Sequence, residues 1–216
     1  MNSSGVVSPD KNFETLLARY GAPVLLGKKP AALFAGPLPR GMGAGLAGGL
    51  RPETASPEPG QGGLRFLNLA RPGHNPLVFV FRPLLLERSL EDPQARRALA
   101  GFGYPVSEGL QALLRYLGRR FQESREFPHE IGFFLGYPPQ DVLGFIWYRG
   151  AGCKLCGPWK VYGDVERAAL LFGEYAWCKQ RLLEHLREGG TVFDEELPAL
   201  HQPPKCLISK CYRKAP

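Results

Sequence analysis

The chain lacks any long apolar run. Nothing in its 216 residues approaches the roughly 18 consecutive apolar residues needed to cross a bilayer. The longest runs, around Leu77–Phe81 and Leu84–Leu86, have the size of a strand or a core segment. The opening residues Met1-Asn2-Ser3-Ser4-Gly5-Val6-Val7 lack the basic start and apolar centre of a secretory leader. These absences set membrane insertion and export aside, and a cytoplasmic protein is expected. In that compartment the five cysteines are expected to be reduced, metal-bound or redox-active rather than joined as structural disulfides.

Acidic residues are missing from the tail after Gln202, which holds Lys205, Lys210, Arg213 and Lys214. Those four account for 4 of the 7 net positive charges. A basic tail of this kind serves as a solubilising end or as an arm for nucleic acid or another anionic partner. Large apolar side chains are almost absent between Gly36 and Gly63, where Pro37, Pro39, Pro52, Pro57 and Pro59 alternate with glycines. Such a segment cannot bury enough surface to offset its ordering entropy, so residues 36–63 read as a flexible Gly/Pro-rich insertion. Gly43, Gly45 and Gly48 form a nominal dinucleotide-binding pattern within it. The pattern lacks the preceding strand and following helix that the chemistry requires, and reads as loop.

What is present reads as one α+β domain over residues 11–200, between a disordered segment at residues 1–10 and the basic tail 201–216. The overall apolar content of 44% and charged content of 22% are those of a globular chain able to bury a core. Phe13, Leu16, Leu17 and Tyr20 recur at helical spacing before Gly21, and Lys29 to Phe34 suggests a short second helix with Pro30 at its first turn. Two strands at about 64–69 and 77–82, joined by Arg71-Pro72-Gly73-His74-Asn75-Pro76, make a hairpin, with His74 a solvated turn residue. Helices are expected over 83–89, from Asp92-Pro93 to Leu99, and after a Ser107 cap along Leu110, Leu113, Leu114 and Leu117. Pro138-Pro139 opens another helix, in which Asp141 is expected to stabilise first-turn N–H groups. A third strand is expected at about 158–162. Gly163-Asp164 then caps a long C-terminal helix on which Val165, Ala168, Ala169, Phe172, Ala176, Leu183 and Leu186 repeat. The sheet is small, mainly antiparallel and covered by helices.

Candidate chemistry concentrates between Phe127 and Cys178. His129 and Glu130 are a candidate acid/base pair, although Phe133 stands where a zinc-protease helix needs its second histidine. Gly132 and Gly136 around three apolar residues suggest closely approached backbone. Tyr137 and Trp159 are candidate walls of a small-molecule pocket with His129 and Glu130. Trp147, Tyr148, Trp159, Tyr162, Tyr175 and Trp177, interleaved with Lys154 and Lys160, form either a core or a stacking surface.

Cys153 and Cys156 form a C-x-x-C, a partial metal grip. A strand of about 3.3 Å per residue from Gly157 to Tyr162, followed by a helix returning at about 1.5 Å per residue, would set Cys178 level with that pair. His185 lies further along the same helix, and Cys206 and Cys211 lie in the tail. Three converging thiols would suit zinc or an iron–sulfur cluster, or a redox-sensing pair. Plain buried or incidental thiols are the ordinary alternative. The function these features suggest is a non-enzymatic accessory or regulatory protein with a metal-binding or redox-sensing cysteine cluster. A nucleic-acid or protein interaction module and a small-molecule enzyme around His129 and Glu130 stand beside it.

The runs Pro128–Phe145 and Cys156–Gly163, together with Gly21-Ala22-Pro23 and Lys29-Pro30-Ala31-Ala32-Leu33-Phe34, resemble a family of bacterial proteins known as domain of unknown function 3793. The resemblance covers most of residues 13–180 and implies no activity, substrate or catalytic residue.

Overall fold

Leu77-Val78-Phe79-Val80-Phe81 is the apolar run around which the chain is organised, and it forms the middle strand of a three-stranded sheet. The computed structural model describes residues 11–39, 63–194 and 197. The strands are β1 (Ala31–Ala35), β2 (Arg65–Leu69) and β3 (Leu77–Phe81), in the order β1-β3-β2 with both pairings antiparallel. Alternation along β3 sends Phe79 and Phe81 to one face and Val78 and Val80 to the other, all four buried. A strand covered on both sides needs apolar residues at every position, which is why the run is continuous rather than alternating.

The phenylalanine face packs under α3 (Pro83–Leu90), α4 (Pro93–Gly101), α5 (Leu110–Glu123) and α6 (Ile131–Phe134). Asp92 caps α4, its carboxylate accepting from Gln94 N and Ala95 N at 2.8 and 3.0 Å. The valine face packs under α1 (Lys11–Tyr20), α2 (Ala22–Leu25) and the 23-residue helix α8 (Val165–Arg187). Between these layers α7 (Pro139–Trp147) leads into a two-stranded ribbon, β4 (Leu155–Cys156) with β5 (Lys160–Val161). The ribbon has a small core of its own with Leu155, Trp159, Val161, Ala168 and Phe172.

The expected α+β class, the β2–β3 hairpin and the long helix opened by Asp164 are all present, Asp164 accepting from Arg167 N at 3.0 Å. Three expectations change. Ala31–Ala35 is an edge strand and not a helix, because pairing with Phe81–Leu77 and burial of Ala31, Ala32 and Phe34 outweigh alanine's helical preference. Gly109, not Ser107, precedes α5. The third strand does not join the main sheet: it shrinks to Lys160–Val161 and folds back on Leu155–Cys156. The pattern at Gly43, Gly45 and Gly48, residues 1–10 and the basic tail lie outside the described residues.

The close backbone approach expected at Gly132 and Gly136 is found. A Cβ on Gly136 would stand 2.4 Å from Pro30 Cγ, and the residue has a φ of +71°. Gly27 has nearly the same φ, +68°, but open space around it. Gly136→Ala should therefore cost about 2 kcal/mol or more, and Gly27→Ala only about 1 kcal/mol, because only the first adds a collision to the backbone strain. Urea unfolding midpoints at unchanged slope measure both. Equal losses would show that Pro30 yields freely.

The end of α8 is tied by Asp194, which accepts from Thr191 N and His185 Nε2, each at 2.8 Å. The Thr191 N–H foremost, and then the imidazole, hold this carboxyl below its ordinary value. A depressed carboxyl contributes stability above its unfolded value, near pH 4, and loses it as pH falls through the lower folded value. The Tm gap between wild type and Asp194→Asn should accordingly narrow as pH drops from 5 toward 3. A gap constant across that range would remove the carboxylate from the account.

Candidate functional site

The ribbon is held by one buried carboxylate. Asp141, in the first turn of α7, is 2% exposed and does not bond to its own helix as expected. Its Oδ1 accepts from Tyr162 N and Gly163 N, both at 2.8 Å, and its Oδ2 accepts from Trp159 Nε1 at 2.7 Å. Three donors from one strand end converge on one side chain, fixing the ribbon to α7 and the Trp159 ring to its place. Trp159 then stacks on Tyr137 with ring centres 4.8 Å apart and meets the Phe172 edge at 4.4 Å. Gly157 lets the ribbon turn lie directly on Phe172, since a Cβ there would come within 2.2 Å of that ring.

Tyr137 and Trp159, expected as walls of a pocket with His129 and Glu130, are stacked on each other, and His129 and Glu130 diverge from one another. Glu130 is buried, accepting from Arg120 Nε at 2.9 Å and from the Tyr104 hydroxyl at 3.4 Å. The Tyr104 hydroxyl is held well above its usual range by burial first and by Glu130 second. Glu130 therefore joins α5 to the turn before α6. His129 is exposed and lies against the Phe127 and Phe145 rings. Two neighbours in sequence at the start of a helical turn diverge by about 100°, which sends one side chain inward and the other out.

What the sequence reasoning missed is Lys29. Its side chain is only 8% exposed, and its Nζ lies 4.7 Å from the Tyr137 ring centre and 5.7 Å from that of Tyr175. No carboxylate pairs with it among the described residues; the neighbouring Lys28 takes Glu174, at 3.2 Å. Burial lowers the Lys29 amine to about 8. Burial likewise pushes Tyr137 up to about 12 and raises Tyr175 further. The available signal was a lysine pair between Gly27 and Pro30, inside one of the runs that carry the resemblance.

The cysteines divide. Cys153 Sγ and Cys156 Sγ are 3.0 Å apart on the ribbon, Cys156 exposed and Cys153 half-buried. The bond between the two thiols, then burial, raises Cys153 above the usual thiol value, while Lys160 opposes the shift. Tyr162 Oη lies sealed and without a hydrogen-bond partner; burial first, then the two cysteines, raise its hydroxyl. Cys178 is fully buried on the other side of α8, among Trp177, Leu182 and the residues of α1 and α2. Burial first, and Glu174 second, push its thiol up to about 12.

The expected three-sulfur convergence is not formed: among the described residues no three His, Cys, Asp or Glu side chains stand close enough to hold an ion. Two causes act. The strand meant to measure out the distance is a tight ribbon, and α8 presents Phe172 to it. Six residues later Cys178 is about 9 Å along the axis and about 120° around it.

Of the aromatic cluster, Trp159 and Trp177 are core residues, whereas Trp147 and Tyr148 are 72% and 61% exposed. No helix among the described residues is long and apolar enough to cross a membrane.

The fold and site define an α+β protein with a dithiol on a ribbon, one thiol exposed and one half-buried, and a buried lysine walled by aromatic rings. The chain belongs to the family described as Protein of unknown function (DUF3793), whose model matches residues 17–194. No curated protein and no solved structure matches it.

Asp141→Ala would leave three donors without their acceptor and should cost roughly 3 kcal/mol or more. Asp141→Asn keeps the Oδ1 role but turns an amide N–H toward the indole N–H, and should fall between. Urea unfolding followed by tryptophan fluorescence measures both, and an alanine variant within 0.5 kcal/mol of wild type would remove Asp141 as the anchor.

Proposed function

We propose that this protein is a non-enzymatic accessory protein in which Cys153 and Cys156 respond to the thiol–disulfide balance by closing to an intramolecular disulfide. The observation that carries the reading is the 3.0 Å contact between two sulfurs on an accessible ribbon. Exposed Cys156 is the entry point: its thiolate attacks a sulfur of glutathione disulfide, forms the mixed disulfide and releases one glutathione thiolate. Cys153, deprotonated, attacks Cys156 Sγ and expels the second glutathione. The protein loses two protons and two electrons, and one glutathione disulfide becomes two thiols.

The direction of the Cys153 shift favours a sensor over a fast oxidoreductase. A thiol raised above its ordinary value supplies little thiolate at neutral pH, so the resolving step is slow and accelerates as pH rises. A shared metal is less well supported by the donor set, since Cys178 is turned away and no third ligand joins the pair among the described residues. The basic tail, on which a nucleic-acid role would rest, lies outside the described residues.

Equilibration in glutathione buffers, followed by alkylation and peptide mass analysis, tests the reading. Increasing the oxidised fraction should yield a Cys153–Cys156 disulfide, about 2 Da lighter than the dithiol. Cys156→Ser should abolish it, and Cys153→Ser should leave Cys156 as a glutathione adduct. Cys178 should resist alkylation until the protein unfolds. A pair that stays reduced in fully oxidised glutathione, or that prefers other cysteines, would overturn the proposal.

A further inference from the structure

Lys29 has a fixed place and, among the described residues, no partner of opposite charge. Lys28 N and Lys29 N both donate to Pro23 O, at 2.7 and 3.0 Å, which closes the turn after α2. Lys28 is held by Glu174, and Pro30 is pressed against Gly136. Between these two ties the Lys29 side chain lies inward, 8% exposed, instead of reaching out to water as lysines at surfaces do. Its Nζ ends between the faces of Tyr137 and Tyr175, with Trp159 stacked behind Tyr137 and 6.3 Å from Tyr175. Tyr137 and Tyr175 are themselves only partly buried, so the rings that flank the amine reach solvent. The sealed polar side-chain atoms without a hydrogen-bond partner include Tyr162 Oη and Arg71 Nε but not Lys29 Nζ.

We propose that Lys29 is the nucleophilic amine of a site for small planar carbonyl compounds, bounded by the Tyr137 and Tyr175 rings with Trp159 behind, in which the carbonyl is captured as an imine. The neutral amine adds to the carbonyl carbon, a carbinolamine forms, and water leaves with the carbonyl oxygen as the C=N bond is made. No oxidant or reductant is required. Flat unsaturated carbonyl compounds fit best because the walls are aromatic, and flat π-systems pack favourably against such rings. The chemistry needs an uncharged amine near neutral pH, and a buried lysine without a counter-ion provides one.

The groups facing Lys29 preserve this state. From the α6–α7 connection comes Tyr137 and from α8 comes Tyr175, and the next charged groups on α8 and in the turn are Glu174 and Lys28, paired with each other. Both tyrosines and Cys178 are raised and stay neutral at pH 8, while Glu174 is neutralised by Lys28. Asp141 lies beyond the Trp159 indole, which it engages directly. The inference does not rest on the dithiol reading, and its test is run on fully reduced protein so that the two can fail separately.

The test treats the full chain with limiting 2-hydroxybenzaldehyde and cyanoborohydride, and maps the reduced adducts by peptide mass. At pH 8 about half of such an amine is neutral, against about 0.3% for an ordinary lysine. Lys29 should therefore be labelled at least tenfold faster than the exposed Lys11 and Lys179, with a rate that levels off above about pH 8 to 9. Butanal in place of the aromatic aldehyde should lose several-fold at Lys29 and nothing at Lys179. Lys29→Met should remove the fast label; if that variant does not fold, the wild-type map decides alone. Labelling of Lys29 no faster than Lys179, a rate still climbing at pH 10, or equal preference for butanal would each overturn the proposal.

Discussion

The carboxylate of Asp141 is the contact on which the candidate region depends. A charged side chain that is 2% exposed survives only when its lone pairs are occupied, and here the backbone of residues 162 and 163 and the Trp159 indole occupy them. Because all three donors belong to one short segment, the bonds do more than satisfy a charge. They set the height and rotation of a ribbon with only two paired residues per strand, which could not hold itself. The thiol pair and the Trp159 wall of the lysine site both ride on that ribbon. Gly144, on which a Cβ would meet Tyr162 at 2.5 Å, brings α7 close enough for the carboxylate to reach.

The main sheet plays a different part. Its central strand is buried on both faces, so the helices above and below are held against the sheet mainly by dispersion and desolvation. Arg82, at the end of β3, is the polar exception that bears on the site: its Nε donates to Val24 O at 2.6 Å, and its Nη2 donates to Leu25 O. A cation on the last carbonyls of α2 fixes that short helix, which in turn fixes the turn carrying Lys28 and Lys29. The lysine is thus set from the sheet side and the aromatic walls from the Asp141 side.

How much of this could be read from the sequence depended on the range of the interactions. The 3.6-residue repeat from Val165 onward and the Asp164 cap are local, and the helix followed. The Leu77–Phe81 run and the turn at Arg71–Pro76 are nearly local, and the hairpin followed. Ala31–Ala35 does not show as a strand in the sequence because its partners lie between 42 and 50 residues away. Asp141 was misread for the same reason: at a helix start a carboxylate usually serves its own N–H groups, and nothing nearby says that residues 21 and 22 positions later will claim it. For Cys178 the rises per residue hold, but the intervening segment is a tight ribbon and not one extended strand. The angular term, the 120° turn of α8, decided the outcome.

Burial explains why a thiol drops out of the site while an amine enters it. Desolvation favours the neutral form of any titratable group, so it raises a thiol and lowers a lysine. For Cys178 the neutral form is the unreactive one, and a thiol pushed up to about 12 neither ligates nor exchanges readily at pH 7. For Lys29 the neutral form is the nucleophile, and the same effect brings it within reach of physiological pH. Exposure completes the contrast on the ribbon. Cys156 meets solvent and Cys153 lies against it, so there reactivity is governed by sulfur proximity and access. The two chemistries are thus separated by their environments, although Trp159 and Cys156 are three residues apart on the same ribbon.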